Sequence, residues 1–288
     1  MDQAIDFHSQ PRVAAGRARG GRETQQDALA CLHDPATDVH LLVLADGMGG
    51  DGAGELAAEG VIHVAHQLWA QGLWRELPGA LFLETLCQEA HAELVRRREG
   101  LTDGEPHSTV VALLIRGNQA YWAHVGDSRL YRFQGRHCLN RTEDHSLAQL
   151  KLQRGEIAPE QLASDPDQHK LLRGLGGPQP PEVEHGGAIL RVGQTFVLCS
   201  DGVWEQLSTP ELRRLSCRRD QAGALREALQ LATARGGEQG DNAALILMRI
   251  AGEGWIRRYG ERLWSMVHPA GATTPGSGAR AAQGDGET

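Results

Sequence analysis

The residues of this chain best placed to do chemistry are aspartates at the edges of apolar runs. Asp46 closes Leu41-Leu42-Val43-Leu44-Ala45-Asp46, and Asp201 closes Phe196-Val197-Leu198-Cys199-Ser200-Asp201. Asp127 follows Tyr121-Trp122-Ala123-His124-Val125-Gly126, Asp241 stands just before Asn242-Ala243-Ala244-Leu245, and Asp27 opens the run at 28–33. Short apolar runs of this kind read as strands, and strand ends hold side chains more rigidly than long loops do. If the ends lie side by side, the carboxylates gather at one rim and repel one another unless a cation lies between them. An all-oxygen donor set of this sort favours Mg²⁺ or Mn²⁺ over zinc. The pairs Asp46-Gly47, Asp51-Gly52 and Asp201-Gly202 also suit plain turns, and spacing alone leaves both readings standing.

Gly47-Met48-Gly49-Gly50-Asp51-Gly52 matches G-x-G-x-x-G between a strand and a helix, as a dinucleotide-binding turn does. The context fails, because a second long helix follows where a Rossmann unit needs a strand with an acidic residue at its end. A phosphate-cradling P-loop fails too, since no Gly-Lys-Ser/Thr closes the stretch.

The elements that must position these aspartates show in the apolar periodicity. Strands are predicted at 28–33 and 39–45. Then comes a helix with Ala57, Val61, Val64, Ala65 and Leu68 on one stripe, and a second helix over 78–98 with Leu83, Leu86, Cys87, Ala90 and Leu94 inward. Strands return at 109–115, 119–125, 129–133 and 136–139, with Gly117-Asn118 and Gln134-Gly135 as hairpin turns. Residues 140–187 are polar and rich in glycine and proline, with short helices at best. A strand at 195–199, helices at 210–215 and 222–234, and a strand at 243–250 complete the series. Helices arrive in pairs rather than between every strand, which predicts an antiparallel α+β layer fold. A folded domain over 1–250 and a disordered tail over 251–288 are expected, with Trp255, Ile256 and Trp264 able to form one short helix before the last stretch.

Composition narrows the class. The chain has 288 residues, is 40% hydrophobic and carries a formal net charge of -8. The acidic balance argues against nucleic acid or an anionic membrane as the main partner. Five cysteines without a C-x-x-C pair argue against a disulfide framework or a zinc ribbon. The opening residues lack a basic start and apolar stretch, and no apolar run approaches the roughly 20 residues of a membrane helix. The expectation is a cytoplasmic protein, a monomer by default.

Taken in order, the motifs resemble the PPM/PP2C family of metal-dependent protein phosphatases, in its bacterial serine/threonine branch. They are Arg22-x-x-x-Gln26-Asp27, Leu44-Ala45-Asp46-Gly47-Met48-Gly49-Gly50, Val125-Gly126-Asp127-Ser128-Arg129, Leu175-Gly176, Ser200-Asp201-Gly202-Val203-Trp204 and Gly240-Asp241-Asn242. The resemblance implies a four-layer αββα sandwich, two antiparallel sheets flanked by helix pairs, with two divalent ions at one end and a looser third. It implies that Asp46 bridges the two ions with help from the Gly47 carbonyl. Asp201 and Asp241 would hold one ion, Asp27 would support the other through water, and Asp127 with Asp201 would take the third. Arg22 would contact substrate phosphate, a task that suits a guanidinium. It further implies hydrolysis of phosphoserine or phosphothreonine by a metal-bridging hydroxide, opposing a bacterial kinase, with 140–187 as a flap.

Two departures from the family pattern stand out. Gln26 replaces a carboxylate at the first motif, and Met48 stands where some relatives carry a histidine proposed as general acid. His145 is expected to be structural or substrate-facing, and Cys199 a core thiol. Two other readings compete: a phosphoprotein-binding pseudophosphatase, disfavoured by the presence of Asp46, Asp201, Asp241 and Arg22, and a nucleotide-binding oxidoreductase.

Overall fold

Ten residues from Val39 to Met48 form an interior strand, and its first seven are all buried, so the run is covered on both faces rather than alternating. A strand of this kind must be covered from both sides. In the computed structural model, which describes residues 5–10, 12–50, 52–101 and 104–252, that cover is a second sheet on one face and helices on the other. The residues called tail and short helix from the sequence, Trp255, Ile256 and Trp264 among them, lie outside the described residues.

The strands are β1 (Ile5–Gln10), β2 (Val13–Ala18), β3 (Asp27–Asp34), β4 (Val39–Met48), β5 (His107–Ser108), β6 (Val110–Arg116), β7 (Gln119–Val125), β8 (Arg129–Gln134), β9 (His137–Arg141), β10 (Glu184–Ile189), β11 (Gln194–Cys199) and β12 (Ala243–Arg249). The helices are α1 (Ala53–Ala70), α2 (Leu73–Glu76), α3 (Gly79–Arg98), α4 (Leu147–Gln153), α5 (Asp201–Trp204), α6 (Thr209–Ser216) and α7 (Gln221–Gly236). One sheet runs β1-β2-β12-β11-β8-β9 and the other β10-β7-β6-β4-β3, with the two-residue β5 paired to the end of β4. The pairings are antiparallel throughout.

Leu41, Val43 and Ala45 of β4 pack with Ala57, Val61 and Ala65 of α1 and Leu83, Leu86 and Ala90 of α3. Val197, Leu245 and Leu247 pack with Leu225, Ala228 and Leu229 of α7 and Leu212 of α6 on the opposite side. The expected αββα layering is therefore present.

Besides the two-residue β5, three strands are absent from the sequence reading. β1 and β2 precede the first one it finds, and β2 reads Val-Ala-Ala-Gly-Arg-Ala, residues of low strand propensity. Their smallness serves the helix above, since a Cβ on Gly16 would sit 3.0 Å from Leu225 Cδ2. β10 contains Gly186-Gly187 inside the polar stretch, and the Trp122 ring lies where a Gly186 side chain would be. Long-range pairing, not local preference, makes these three segments strands.

Candidate active site

The β3–β4 hairpin brings the first two aspartates together, because its register places Asp27 directly opposite Asp46. Local placement differs from the strand-end picture. Asp46 lies inside β4, which continues to Met48 by pairing with β5. β11 stops at Cys199, Ser200 is the N-cap, and Asp201 is the first residue of α5. Asp127 and Asp241 sit in the segments just before β8 and β12.

The loops that carry these residues are locked by close backbone approaches. A Cβ on Gly47 would lie 1.9 Å from the Gly54 carbonyl oxygen, and one on Gly202 would lie 2.0 Å from that of Asn242. The Asp46-Gly47 and Asp201-Gly202 pairs are thus contact points between segments, not merely turns, whereas a Cβ on Gly52 would meet nothing within 4 Å. Thr109 donates its amide to the Asp46 carbonyl (2.8 Å), and its hydroxyl meets Ser128 (2.7 Å).

The five carboxyl groups act on one another. Burial, then Asp201, Asp27, Asp127 and Asp241, raise the Asp46 carboxyl well above the ordinary carboxylate range. Burial pushes Asp27 up to about 8, with Asp201 and Asp241 adding to the effect and the Ser200 hydroxyl opposing it. Asp201 is pushed up to about 7 by burial, then by Asp241 and Glu205. Asp127 is also raised, by burial and then by Asp201 and Asp144. Arg22 donates to Asp241 at 2.6 Å and remains half exposed. So much uncompensated charge in one place is costly unless a multivalent cation shares it. The donors are all oxygens, and they fit a hard divalent ion.

Several supporting residues escaped the sequence reading. Ser200 donates to Asp27 Oδ2 (2.7 Å) and accepts from the Ala244 amide (2.9 Å), tying β3 to β12. Arg17 holds the Asp27 carbonyl at 2.7 Å. Asn242 donates to the carbonyls of Arg19 and Thr24 and accepts from the Gln26 amide, so it pins the loop that carries Arg22. Asp144 binds buried Arg129 through both oxygens (2.8 and 2.6 Å), Arg129 covers the Trp204 ring at 3.5 Å, and Trp204 donates to the Asp127 carbonyl. Ser200 and Asn242 adjoin Asp201 and Asp241 in their motifs, the one signal that could have found them.

His145 is buried and stacked on His124, its backbone and ring bracket Gly126 (His145 N to Gly126 O, 3.0 Å; Gly126 N to His145 Nδ1, 3.2 Å), and its Nε2 lies 3.3 Å from Glu184 Oε2. Cys199 is fully buried, and burial raises its thiol far above the range of a nucleophile. Met48 lines a cleft of about 760 Å³ with His107, Leu172, Arg173 and Pro178.

This arrangement of sheets recurs in known proteins. The family profile described as Protein phosphatase 2C matches residues 17–239. The chain belongs to the protein phosphatase 2C family. A serine/threonine phosphatase stp of Listeria innocua is 31% identical over 246 residues, 84% of this chain and 95% of that protein. The solved Mycobacterium tuberculosis serine/threonine phosphatase PstP/Ppp shares 27% identity with a TM-score of 0.74, covering 84% of this chain and 99% of that one. A second structure, the catalytic domain of PstP in complex with 2 manganese ions, is 27% identical with a TM-score of 0.69 over 84% and 98% of the two chains. As a member of this family the protein is a phosphatase, and the oxidoreductase reading falls. Among the described residues no helix is long and apolar enough to cross a membrane.

Proposed function

We propose that the protein is a cytoplasmic, monomeric, metal-dependent phosphatase that hydrolyses phosphoserine and phosphothreonine in proteins and opposes a serine/threonine kinase. The observation that carries this reading is the gathering of Asp27, Asp127, Asp201 and Asp241 around Asp46, a charge cluster suited to divalent ions. Similarity to phosphatases of the same named specificity, one of them bound to two manganese ions, supports the substrate class and the metal.

In this reading Asp46 and the Gly47 carbonyl would help hold two Mn²⁺ or Mg²⁺ ions, with Asp201 and Asp241 as ligands to one and Asp27 supporting the other, and Asp127 with Asp201 would hold a third. Such ions supply a water acidic enough to ionise near neutral pH and offset charge on the phosphoryl oxygens. The chain's own residues do the rest. Ser200 fixes one Asp27 oxygen and leaves the other toward the cluster. Arg22 leaves Asp241 to take two phosphoryl oxygens in its planar fork, which orients the ester. The cleft beside Met48 receives residues flanking the phosphorylated side chain. Met48 has no proton to give, so the leaving alkoxide takes its proton from solvent.

Purified protein should hydrolyse a phosphothreonine peptide with Mn²⁺ and stop with excess EDTA. Silence on varied phosphopeptides, with folded protein and saturating metal, would instead favour the phosphoprotein-binding reading. Arg22→Ala should lower kcat/KM by about ten- to hundredfold, the loss of a hydrogen bond to a charged group, with Arg22→Lys recovering part of it. Equal kcat/KM for Arg22→Ala and the parent would remove Arg22 from substrate binding.

A further inference from the structure

The β3–β4 hairpin has a second cluster at the end away from the aspartates. His33 lies opposite His40 in the register that also pairs Asp27 with Asp46, six residues further along β4. At roughly 3.3 Å per residue the two clusters are about 20 Å apart. Asp38, in the turn, adopts φ 55°, a left-handed backbone uncommon outside glycine. That conformation brings its Oδ1 to 3.1 Å from His33 Nε2 and 3.4 Å from His40 Nε2.

His40 is the unusual member. It is 4% exposed, and neither of its ring nitrogens has a hydrogen-bond partner. A buried imidazole with two unanswered nitrogens carries a desolvation cost that a hydrogen-bonded core histidine avoids. Burial, then the neighbouring His33, push it down to about 4, so the ring is neutral at neutral pH and one of its nitrogens carries a lone pair. Asp38 divides its oxygens: Oδ2 takes Arg12 at 2.8 Å and Oδ1 faces the two rings.

We propose that His33, Asp38 and His40 form a binding site for a transition-metal ion of the Zn²⁺ type, separate from the acidic cluster. Two imidazoles and one carboxylate suit such an ion rather than Mg²⁺, with solvent as the fourth ligand. The separations of 3.1 and 3.4 Å match the edges of a tetrahedron whose metal–ligand bonds are about 2.1 Å. The rings now stack at 4.1 Å with 12° between planes, so their lone pairs point side by side. Seating the ion turns His33, at 29% exposure the freer ring, edge-on toward His40. Arg12 follows β1 in the other sheet and accepts at its carbonyl from Arg249, so the filled site would fasten the two sheets at this end.

The test is Co²⁺ titration of metal-stripped full-length protein with excess Mg²⁺ present to fill the acidic cluster. Wild type should take up a single equivalent with the intense visible absorption of four-coordinate, imidazole-bound Co²⁺, and Zn²⁺ should bleach it. His33→Ala should lose that equivalent. Asp38→Asn, which tolerates the left-handed backbone, should bind at least tenfold more weakly. Both variants should keep the Mn²⁺-dependent activity of wild type. An identical Co²⁺ spectrum in wild type and His33→Ala, or no tight equivalent in wild type, overturns the site and leaves a His33–Asp38 hydrogen bond beside a stacked ring.

Discussion

Asp201→Asn should cut Mn²⁺-dependent hydrolysis of a phosphothreonine peptide by about 10²–10³-fold, the loss typical of one electrostatic group at a reacting centre. Asp201 is the carboxylate that the others share, since it raises Asp27, Asp46 and Asp127 alike. Removing its charge has two opposed consequences. The ions lose a ligand and bind more weakly, while the metal-free protein is relieved of repulsion. The variant should therefore unfold at a higher temperature than wild type in EDTA, and the gain from added Mn²⁺ should shrink. Its backbone has no reason to move, because Ser200 and Gly202 keep their contacts with Ala244 and Asn242. Unchanged turnover would remove Asp201 from the metal site, and a lower metal-free stability would remove the repulsion argument.

Stability in EDTA should fall as pH rises from about 6.5 to 8. Asp27 and Asp201 have native pKa values of about 8 and about 7, against 3.8 as the ordinary value. A carboxyl raised on folding binds its proton more tightly in the native state, so its stabilisation is complete below the unfolded pKa and is lost as pH passes the folded one. The native state then holds more protons than the unfolded chain, and the slope of stability against pH is negative. Each retained proton is worth about 1.4 kcal/mol per pH unit. His40 and His145, lowered to about 4 and about 3, give the opposite slope, but only below their ordinary value of 6.5. The window above 6.5 therefore isolates the aspartates. Urea unfolding at pH 6.5, 7.2 and 8.0 with EDTA should show the decline, and saturating Mn²⁺ should flatten it. A flat profile in EDTA would mean that burial and the neighbouring carboxylates do not raise Asp27 and Asp201.

The site was legible in the sequence to the extent that its residues border apolar runs. Asp46 and Asp201 stood out because β4 and β11 are covered on both faces and so read as unbroken apolar stretches. The five aspartates are brought into mutual range. What stayed hidden depends on distant partners. Ser200 and Asn242 matter through bonds to residues 173 and more than 200 positions away, and no local pattern marks such a bond. β1, β2 and β10 escaped for a related reason, since small residues become strands only when a neighbour offers an edge. His33 and His40 are seven apart in sequence and become neighbours only through the hairpin register.

The position of β12 bears on how the enzyme comes into being. It is the last strand of the described chain, yet it lies between β2 and β11 in the middle of its sheet. Until it is synthesised, the β1–β2 hairpin has no seat, and Asp241 and Asn242 are missing from the rim. Closing a sheet through partners more than 200 residues apart is entropically demanding and slow. The nascent chain should therefore stay catalytically silent until β12 emerges and inserts.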